Sequence, residues 1–414
     1  MKIKSLKATA LLLSFTLLAS GCSLQKNNSN AQSNADNVSS SIQDSIALDN
    51  ASTADSIMVY EDLYEPEYEE VIASESASAS SASAESSSQT DSSSSSASLT
   101  PTSDLYPVDD NLVMVFFGDS QFANGRSDGS DIPSLMATRI PNANPINLGI
   151  GGTTAAIELN TSNIYDYDNW TSTSFYGMVL ALEGTVDRNT LLANNPDTLA
   201  NMNRINPAEV DYYFIEYGAN DFFNKIPIDK YNESTDEFNE LHTYYGALSR
   251  GIEKLQALSP NATIILLTPF YGIYKDSMGT YLGDTYITSN GYGTLADYAK
   301  KMINISEDKG LYCFDGMFRS KHDLYLDTVD MYLMDTTHLS LLGRQAFARL
   351  LAHIPNSMEH YEPSAYRQCD FITISKFDPN ETYRMPDNEL EEYFNDEYQS
   401  MLRGEYFLVQ PQSE

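Results

Sequence analysis

The chain has 414 residues, with 58 acidic against 24 basic side chains and a formal net charge of −34. This charge argues against a nucleic-acid partner, because affinity for DNA or RNA comes largely from Lys and Arg that neutralise phosphates. Three cysteines and five histidines also argue against a disulfide-rich scaffold and a structural zinc site. We therefore expect no nucleic-acid partner, no metal and no cofactor.

The first residues have the pattern of an export signal. Three lysines precede the apolar run ALLLSFTLLA at 10–19, which is too short to cross the roughly 30 Å hydrocarbon core of a bilayer as a helix. We predict that residues 1–21 are a signal peptide. The sequence LASGC at 18–22 resembles a bacterial lipobox, which implies a lipoprotein anchored outside the cytoplasm through a lipid on Cys22. The alternative is an ordinary secreted protein in which Cys22 happens to follow the apolar run.

Residues 22–104 are rich in Ser, Ala, Asn and acidic side chains, and 15 of the 30 residues at 71–100 are serine. Such a segment cannot bury enough apolar surface to offset the entropy lost on ordering the chain. We predict a disordered, flexible tether between Cys22 and a globular domain.

From about residue 105 the pattern changes to alternating strands and helices. The predicted strands are Leu112–Phe117, Pro145–Leu148, Val210–Tyr217, Ala262–Thr268 and Leu311–Phe314. The predicted helices are Asp131–Ile140, Leu241–Leu258, Leu295–Ile305 and His338–Ile354. This alternation predicts an α/β fold, a three-layer sandwich with a central parallel sheet and helices on both faces.

Two segments stand apart from this alternation. Residues 160–205, rich in Asn, Thr and Tyr, are predicted to be an insertion with helical pieces in a domain at 105–355. Residues 356–414 are predicted to be an acidic, Tyr-rich extension in which Phe371–Phe377 has the pattern of a strand. Cys313 and Cys369 either form a disulfide that pins this extension to the domain or are two buried thiols.

Four short motifs lie at predicted strand ends or at the start of the last helix. They are GDS at 118–120, NLGIGGT at 147–153, GAND at 218–221 and DTTH at 335–338. Parallel α/β sheets bind ligands at the carboxyl ends of their strands. In this order the motifs resemble those of the SGNH, or GDSL-type, hydrolase family, whose four blocks supply a Ser, a Gly, an Asn and a His. The resemblance covers residues 110–355 and implies the SGNH hydrolase fold, a flavodoxin-like sandwich, and ester hydrolysis.

Ser120, His338 and Asp335 have the chemistry of a nucleophilic triad. A serine hydroxyl needs an adjacent base, and the free pKa of histidine lies near working pH. On the first turn of a helix, Asp335 would share a face with His338 and hold one imidazole nitrogen while the other faces Ser120. The resemblance implies the same roles, with Ser120 as nucleophile, His338 as base and Asp335 as the residue that orients the base.

An acyl-transfer site also needs hydrogen-bond donors where negative charge develops on the substrate oxygen. The resemblance implies three donors for this oxyanion hole. They are the backbone N–H of Ser120, the backbone N–H of Gly152 and the side-chain amide of Asn220.

Single motifs have simpler explanations. Ser120 or Asp335 alone could cap a helix, and Asn220 alone could satisfy a turn. The run GIGGTT at 149–154 nearly matches a dinucleotide-binding loop, but its third glycine is missing. No HExxH pattern or other group of metal ligands is visible, so we expect no metal catalysis.

The sequence departs from the GDSL pattern at Gln121, where the family name has Leu. One hypothesis is that a polar side chain beside the nucleophile favours a hydrophilic acyl acceptor such as a sugar. Trp170 and neighbouring tyrosines either form a stacking wall for sugars or pack within the insertion. The tyrosines are Tyr165, Tyr167 and Tyr176. We interpret His322 as a solvated side chain, and His242, His353 and His360 as surface or partly buried.

These features predict a cell-surface serine esterase that acts on a small-molecule or polysaccharide ester through an acyl-enzyme. Carbohydrate or cell-wall esters fit a tethered position outside the cell. Two alternatives remain. One is an O-acyltransferase that uses the same residues, and the other is a non-catalytic glycan-binding surface lipoprotein.

Overall fold

The computed structural model describes residues 111–229, 236–381 and 383–406. The predicted signal peptide, Cys22 and the tether lie outside these residues. Within the described ranges, no helix combines the length and the apolar character needed to cross a membrane.

A parallel sheet of five strands forms the centre of the domain. Its strands are β1 (Leu112–Gly118), β2 (Ala143–Asn147), β3 (Tyr212–Glu216), β4 (Thr263–Leu267) and β7 (Tyr312–Phe314), in the order β2-β1-β3-β4-β7. All seven residues of β1 are buried, as expected for a strand that is covered on both faces. Each predicted strand of the domain is present, with ends that differ by one or two residues. The sequence therefore predicts the sheet correctly.

Helices cover both faces of the sheet, and three more lie in the described part of the extension that follows the domain. They are α1 (Ser120–Ala123), α2 (Ile132–Ala137), α3 (Phe175–Glu183), α4 (Arg188–Leu191), α5 (Pro196–Met202), α6 (Ala219–Phe223), α7 (Glu237–Leu241), α8 (Tyr244–Leu258), α9 (Leu295–Lys309), α10 (Val329–Tyr332), α11 (Leu341–Met358), α12 (Ser364–Cys369), α13 (Asp387–Tyr393) and α14 (Asn395–Leu402). In one layer α2 packs against α11, and in the other α8 packs against both α3 and α9. The predicted three-layer α/β sandwich is confirmed.

A short antiparallel hairpin, β5 (Ile273–Lys275) and β6 (Tyr281–Asp284), follows β4. The segment predicted as an insertion, 160–205, supplies α3, α4 and α5. Eight of the nine residues of α3 are buried, so this helix is part of the core layer over the sheet and not a peripheral addition.

The start of one predicted helix differs from the structure, and one predicted strand is not formed. The last helix of the domain begins at Leu341 and not at His338, because Ser340 is its N-cap and accepts a hydrogen bond from the Gly343 N–H. Residues 371–377 do not form a strand. They contain a 3₁₀-helix at Ile374–Lys376, and their pairing is limited to an isolated bridge between Ile372 and His322.

The extension after α11 has a small apolar cluster of its own, formed by Ala365, Tyr366, Met385, Leu390 and Met401. Asp370, which follows α12, accepts hydrogen bonds from the Arg349 Nε and Nη2 of α11 at 2.8 and 2.7 Å. The same carboxylate contacts the His353 Nε2 at 2.9 Å, and Glu362 contacts the other ring nitrogen. Buried ion pairs therefore attach the extension to α11.

Candidate active site

The strand order places three of the four motifs at one point of the sheet. From β1 the chain moves to the neighbour on one side, β2, and then to the neighbour on the other side, β3. The loops after these strands therefore diverge at the carboxyl end of β1, which is where open α/β sheets form a crevice. Ser120 follows β1, the glycine run follows β2 and Asn220 follows β3.

The structure brings the three predicted triad residues together. The His338 Nε2 lies 2.9 Å from the Ser120 Oγ, although the two residues are 218 positions apart. The His338 Nδ1 lies 2.6 Å from the Asp335 Oδ2. This chain of two hydrogen bonds is the arrangement in which a carboxylate orients an imidazole toward a serine hydroxyl.

Asp335 reaches His338 in a different way from the one predicted. The residues from 335 to 338 lie in a loop before α11, not on its first turn. The Asp335 Oδ1 accepts hydrogen bonds from the backbone N–H groups of Thr337 and His338, both at 2.7 Å. This turn leaves the Oδ2 free to contact the imidazole, because a short carboxylate readily closes such turns.

The ionisation of the pair follows from this geometry. The hydrogen bond to Asp335 raises the pKa of His338 above its usual value, and burial opposes this effect. Burial alone would raise the pKa of Asp335, but the hydrogen bonds from the His338 side chain and backbone lower it overall. Asp335 is therefore a carboxylate at neutral pH, and it stabilises the imidazolium that forms when His338 accepts a proton.

The other two predicted oxyanion-hole residues, Gly152 and Asn220, lie on loops next to the Ser120 loop. Gly152 has φ +81°, a conformation that favours glycine, and its N–H has no acceptor within the described residues. A Cβ added to the preceding Gly151 would lie 3.7 Å from the Ser120 Cβ, so this loop passes directly beside the nucleophile. The Asn220 Nδ2 donates to the Asp119 Oδ2 at 2.9 Å, which holds one of its two N–H groups and leaves the other for a ligand.

Buried carboxyl groups support these loops from below. Asp119, 1% exposed, accepts from the Gln121 N–H at 2.9 Å and from Asn220. Asp221, fully buried, accepts from the N–H groups of Ala155 and Ala156 at 2.8 and 3.1 Å. Asp119 thus joins the nucleophile loop to Asn220, and Asp221 joins the Asn220 helix to the segment that follows the glycine run. The only sequence signal was the position of each Asp next to a predicted site residue.

Glu216, at the end of β3, is the third of these acids. It is fully buried, and its carboxyl is hydrogen-bonded to that of Asp119, while no other described residue donates a hydrogen bond to its carboxyl oxygens. Burial, together with the nearby Asp119, raises its pKa well above the usual value. Burial likewise raises the pKa of Asp119 and, to about 7, that of Asp221. Shifted carboxyl groups of this kind are common at functional sites.

The burial of Gln121 argues against the hypothesis that its polar side chain favours a hydrophilic acyl acceptor, and the substrate preference itself stays a prediction. The Gln121 side chain is 5% exposed and is hydrogen-bonded to the backbone of the loop that carries His338. The physical reason is that a buried amide is costly unless its donor and acceptor are satisfied, so the side chain turns toward backbone partners and away from solvent.

Other predicted residues take no part in the site. Trp170 is 4% exposed and its Nε1 donates to the Ser172 carbonyl oxygen at 2.9 Å, which supports packing and not sugar stacking. Our interpretation of His322 as solvated is wrong, because it is buried with its ring against Phe347. His242 and His353 are also buried more fully than predicted. Cys313 and Cys369 are free thiols, each half-buried.

In the part of the chain that the structure describes, no group of three or more His, Cys, Asp or Glu residues is arranged to hold a metal ion. A hydroxyl nucleophile, a hydrogen-bonded base and an unpaired backbone N–H converge at one crevice.

Comparison with known proteins agrees with this arrangement. The model of the family described as GDSL-like lipase/acylhydrolase matches residues 114–351, more than half of the chain. A comparison with curated proteins found no match.

Similar solved structures include three at low identity. A possible lipase from Chitinophaga pinensis DSM 2588 is 19% identical, with 60% of this chain and 99% of that chain covered and a TM-score of 0.40. A carbohydrate acetylesterase family member from Sinorhizobium meliloti is 15% identical, with 60% and 98% covered and a TM-score of 0.35. An acetyl xylan esterase is 18% identical, with 57% and 96% covered and a TM-score of 0.33. On the family match, the chain belongs to the GDSL-like lipase/acylhydrolase family.

Proposed function

We propose that this protein is a serine ester hydrolase that acts through an acyl-enzyme. The observation that carries the proposal is the pair of contacts at His338, with the Ser120 Oγ 2.9 Å from Nε2 and the Asp335 Oδ2 2.6 Å from Nδ1. A serine that is hydrogen-bonded to an oriented imidazole is equipped to attack a carbonyl carbon.

In the first half of the reaction, the Ser120 Oγ attacks the ester carbonyl carbon and its proton passes to the His338 Nε2. The negative charge on the carbonyl oxygen is stabilised by the N–H groups of Ser120 and Gly152 and by the Asn220 amide. The C–O bond to the alcohol then breaks, and the leaving oxygen takes the proton from His338. Ser120 is left as an acyl ester.

In the second half, a water molecule gives a proton to His338 and attacks the acyl carbon. The same donors hold the second tetrahedral oxyanion. When the bond to the Ser120 Oγ breaks, His338 returns the proton and the free acid leaves. Asp335 remains ionised throughout, because its hydrogen bonds lower its pKa, and it keeps the imidazole in one orientation.

We further propose that the natural substrate is an acyl or acetyl ester of a carbohydrate or cell-wall polymer. The support is the predicted export signal with a lipidated Cys22 and a long tether, which would hold the enzyme outside the membrane. Partition of the wild-type protein, and not of Cys22→Ala, into the detergent phase of Triton X-114 is the expected result for the anchor. The substrate class is tested by measuring the release of acetate from an acetylated polysaccharide. If the protein hydrolysed all simple esters at equal rates and released no acetate from polymers, the proposed substrate class would be contradicted.

The main test is hydrolysis of p-nitrophenyl acetate by the full-length protein and its Ser120→Ala variant. We expect the variant to lose about 10⁴-fold or more in kcat, because the nucleophile is absent. Ser249→Ala is the matched control, since its buried hydroxyl has no hydrogen-bond partner among the described residues, and we expect it to retain activity. A folded Ser120→Ala variant that is as active as the wild type would overturn the proposal.

A further inference from the structure

Gln121 is the residue next to the predicted nucleophile, and it is buried, with 5% of its surface exposed. Its backbone N–H donates to the Asp119 Oδ1 at 2.9 Å. The main chain at Ser120 and Gln121 is therefore fixed at the N-terminus of α1, and the Gln121 side chain extends from a rigid point.

The Gln121 amide contacts the residues on both sides of His338. Its Nε2 donates to the Thr337 carbonyl oxygen at 2.8 Å, and its Oε1 accepts from the Leu339 N–H at 3.3 Å. The chemistry of the partners fixes the orientation of the amide, because a carbonyl oxygen only accepts and a backbone N–H only donates.

Three carbonyl groups of this loop have other partners. The Thr336 carbonyl oxygen accepts from the Ile273 N–H, and the His338 carbonyl oxygen accepts from the Met334 N–H, both at 2.9 Å. The Leu339 carbonyl oxygen accepts from the Arg344 Nη1 at 3.0 Å. Gln121 is thus the side chain that satisfies the two groups flanking His338, and a Leu at this position would satisfy neither.

We propose that Gln121 is a positioning residue that sets the distance between nucleophile and base. Its neighbour in the chain is the nucleophile, and its amide holds the two chain neighbours of the base, which lie 216 and 218 positions away. A misplacement of about 1 Å between reacting groups can reduce a rate by roughly 10²-fold. This inference rests on the proposed function, since it assigns a role within the same Ser120–His338 pair.

The test uses the rate at which a p-nitrophenyl alkylphosphonate reacts with the full-length protein. The Ser120 Oγ forms a bond to phosphorus, p-nitrophenolate leaves, and the serine proton passes to His338. Each protein molecule releases one p-nitrophenolate, so the readout reports activation of the serine without reference to the natural ester. The kcat and KM for p-nitrophenyl acetate are measured beside it.

Three variants are compared with the wild type. Gln121→Leu removes both hydrogen bonds, and we expect phosphonylation and kcat to fall by about 10- to 100-fold while KM changes by less than about threefold. Asn356→Leu is the matched control. It removes another buried amide, one that donates to the Arg139 carbonyl oxygen at 3.0 Å near the far end of α11, and we expect its rate to match that of the wild type.

The third variant, Gln121→Glu, separates positioning from packing. When protonated, the new carboxyl can donate to the Thr337 carbonyl oxygen and accept from the Leu339 N–H, as Gln121 does. When ionised it has no donor and faces a carbonyl oxygen. The charged or titratable groups on the segments around it are Asp119, Glu216, Asp335, His338 and Arg344. We expect its rate relative to the wild type to fall about tenfold between pH 6 and pH 9, while the relative rate of Gln121→Leu stays constant.

The outcomes distinguish the two proposals. A folded wild-type protein that does not react with the phosphonate overturns the serine mechanism and this inference with it. If the wild type reacts and Gln121→Leu reacts within about twofold of it, the serine mechanism stands and the positioning role is wrong. The positioning role is also wrong if the Gln121→Glu ratio is constant with pH, or if Asn356→Leu slows the reaction as much as Gln121→Leu does.

Discussion

Two groups of buried acidic side chains differ in what compensates their charge. Below the nucleophile, Asp119 and Asp221 accept from backbone N–H groups and an amide, and Glu216 is hydrogen-bonded to the carboxyl of Asp119 with no donor among the other described residues. At the extension, Asp370 and Glu362 contact the basic side chains of Arg349 and His353. We call the first set the site acids and the second the extension pairs.

The pKa shifts of the site acids and of Asp370 run in opposite directions for this reason, whereas burial raises the pKa of Glu362 as it does those of the site acids. Burial raises the pKa of all three site acids, since no adjacent Lys or Arg offsets it. Burial alone would also raise the pKa of Asp370, but hydrogen bonds from His353 and Arg349 lower it overall. Burial alone would lower the pKa of His353, but its two carboxylate partners raise it to about 9. The site acids therefore carry a cost in stability that Asp370 avoids. We expect changes at the triad to alter activity, and changes at the buried acids and their partners to alter stability.

Among the changes that test this comparison, Asp335→Asn has the largest expected effect, and the effect is on activity. Asparagine can still accept from the Thr337 and His338 N–H groups, so the turn should form, but its amide nitrogen cannot stabilise an imidazolium. We expect kcat to fall about 10³- to 10⁴-fold with little change in melting temperature. The acid limb of kcat/KM should move to lower pH, because the hydrogen bond that raises the pKa of His338 is lost.

The control for this variant is Asp187→Asn, at a turn where the carboxylate accepts from the Asn189 and Thr190 N–H groups and no histidine is involved. It should remain fully active. A pH profile of Asp335→Asn that coincides with the wild-type profile would contradict the assigned role.

The next effect is on stability, from Arg349→Met. This change leaves the Asp370 carboxylate buried, at 1% exposure, with His353 as its remaining cationic partner. We expect a loss of about 3 kcal/mol in the free energy of unfolding, measured by denaturant titration, while kcat at temperatures below unfolding is unchanged.

Arg250→Met is the matched control, because Arg250 pairs with Glu240 at the surface, where its side chain is 44% exposed. A loss below about 1 kcal/mol is expected there. Equal losses of stability in the two variants would show that burial does not make the extension pairs more stabilising than an ion pair at the surface.

The smallest effect is expected from Glu216→Gln. The raised pKa of Glu216 means that the side chain is protonated in the folded protein at pH values where the unfolded chain has lost the proton. Its contribution to stability is complete below about pH 4.5 and declines as the pH rises toward the folded pKa. An uncharged amide of the same size should change stability by less than about 1 kcal/mol at pH 5 and should remove part of the alkaline decline.

Melting temperatures from pH 5 to pH 9 measure this difference. Glu183→Gln serves as the comparison, since hydrogen bonds from Thr185 and Lys254 outweigh partial burial and lower the pKa of Glu183, so its removal should leave the alkaline decline intact. Parallel curves for the wild type and Glu216→Gln would show that Glu216 is already ionised when folded.

The sequence predicts the sheet and the meeting of the motifs because both depend on local patterns. The continuous apolar run of β1 indicates a buried strand, and parallel strands place their carboxyl ends at the same edge. That rule and the resemblance of the motifs together predict the placement of four site residues, which are Ser120, Gly152, Asn220 and His338. The predicted start of α11 is three residues too early, although the sequence contains the signal for the correct start. Ser340 lies three residues before Gly343, which is an ordinary N-cap pattern.

The interactions that the sequence does not predict are those between distant segments. Nothing near His322 indicates that Phe347 will cover it, and nothing near Gln121 indicates that its partners lie more than 200 positions away. The burial of Glu216 is similar, because a glutamate at a strand end usually reaches solvent. The surroundings of these side chains depend on tertiary packing, which the local sequence does not indicate.

The separation of 218 positions between Ser120 and His338 has a consequence for folding. All four strand pairs of the sheet are parallel, so they join residues that are far apart in the sequence. Chains dominated by such contacts fold slowly. The reactive pair forms only after β1 and the loop before α11 have both docked. During refolding, the reactivity of Ser120 should thus appear later than secondary structure. The appearance of this reactivity would report that the fold is complete.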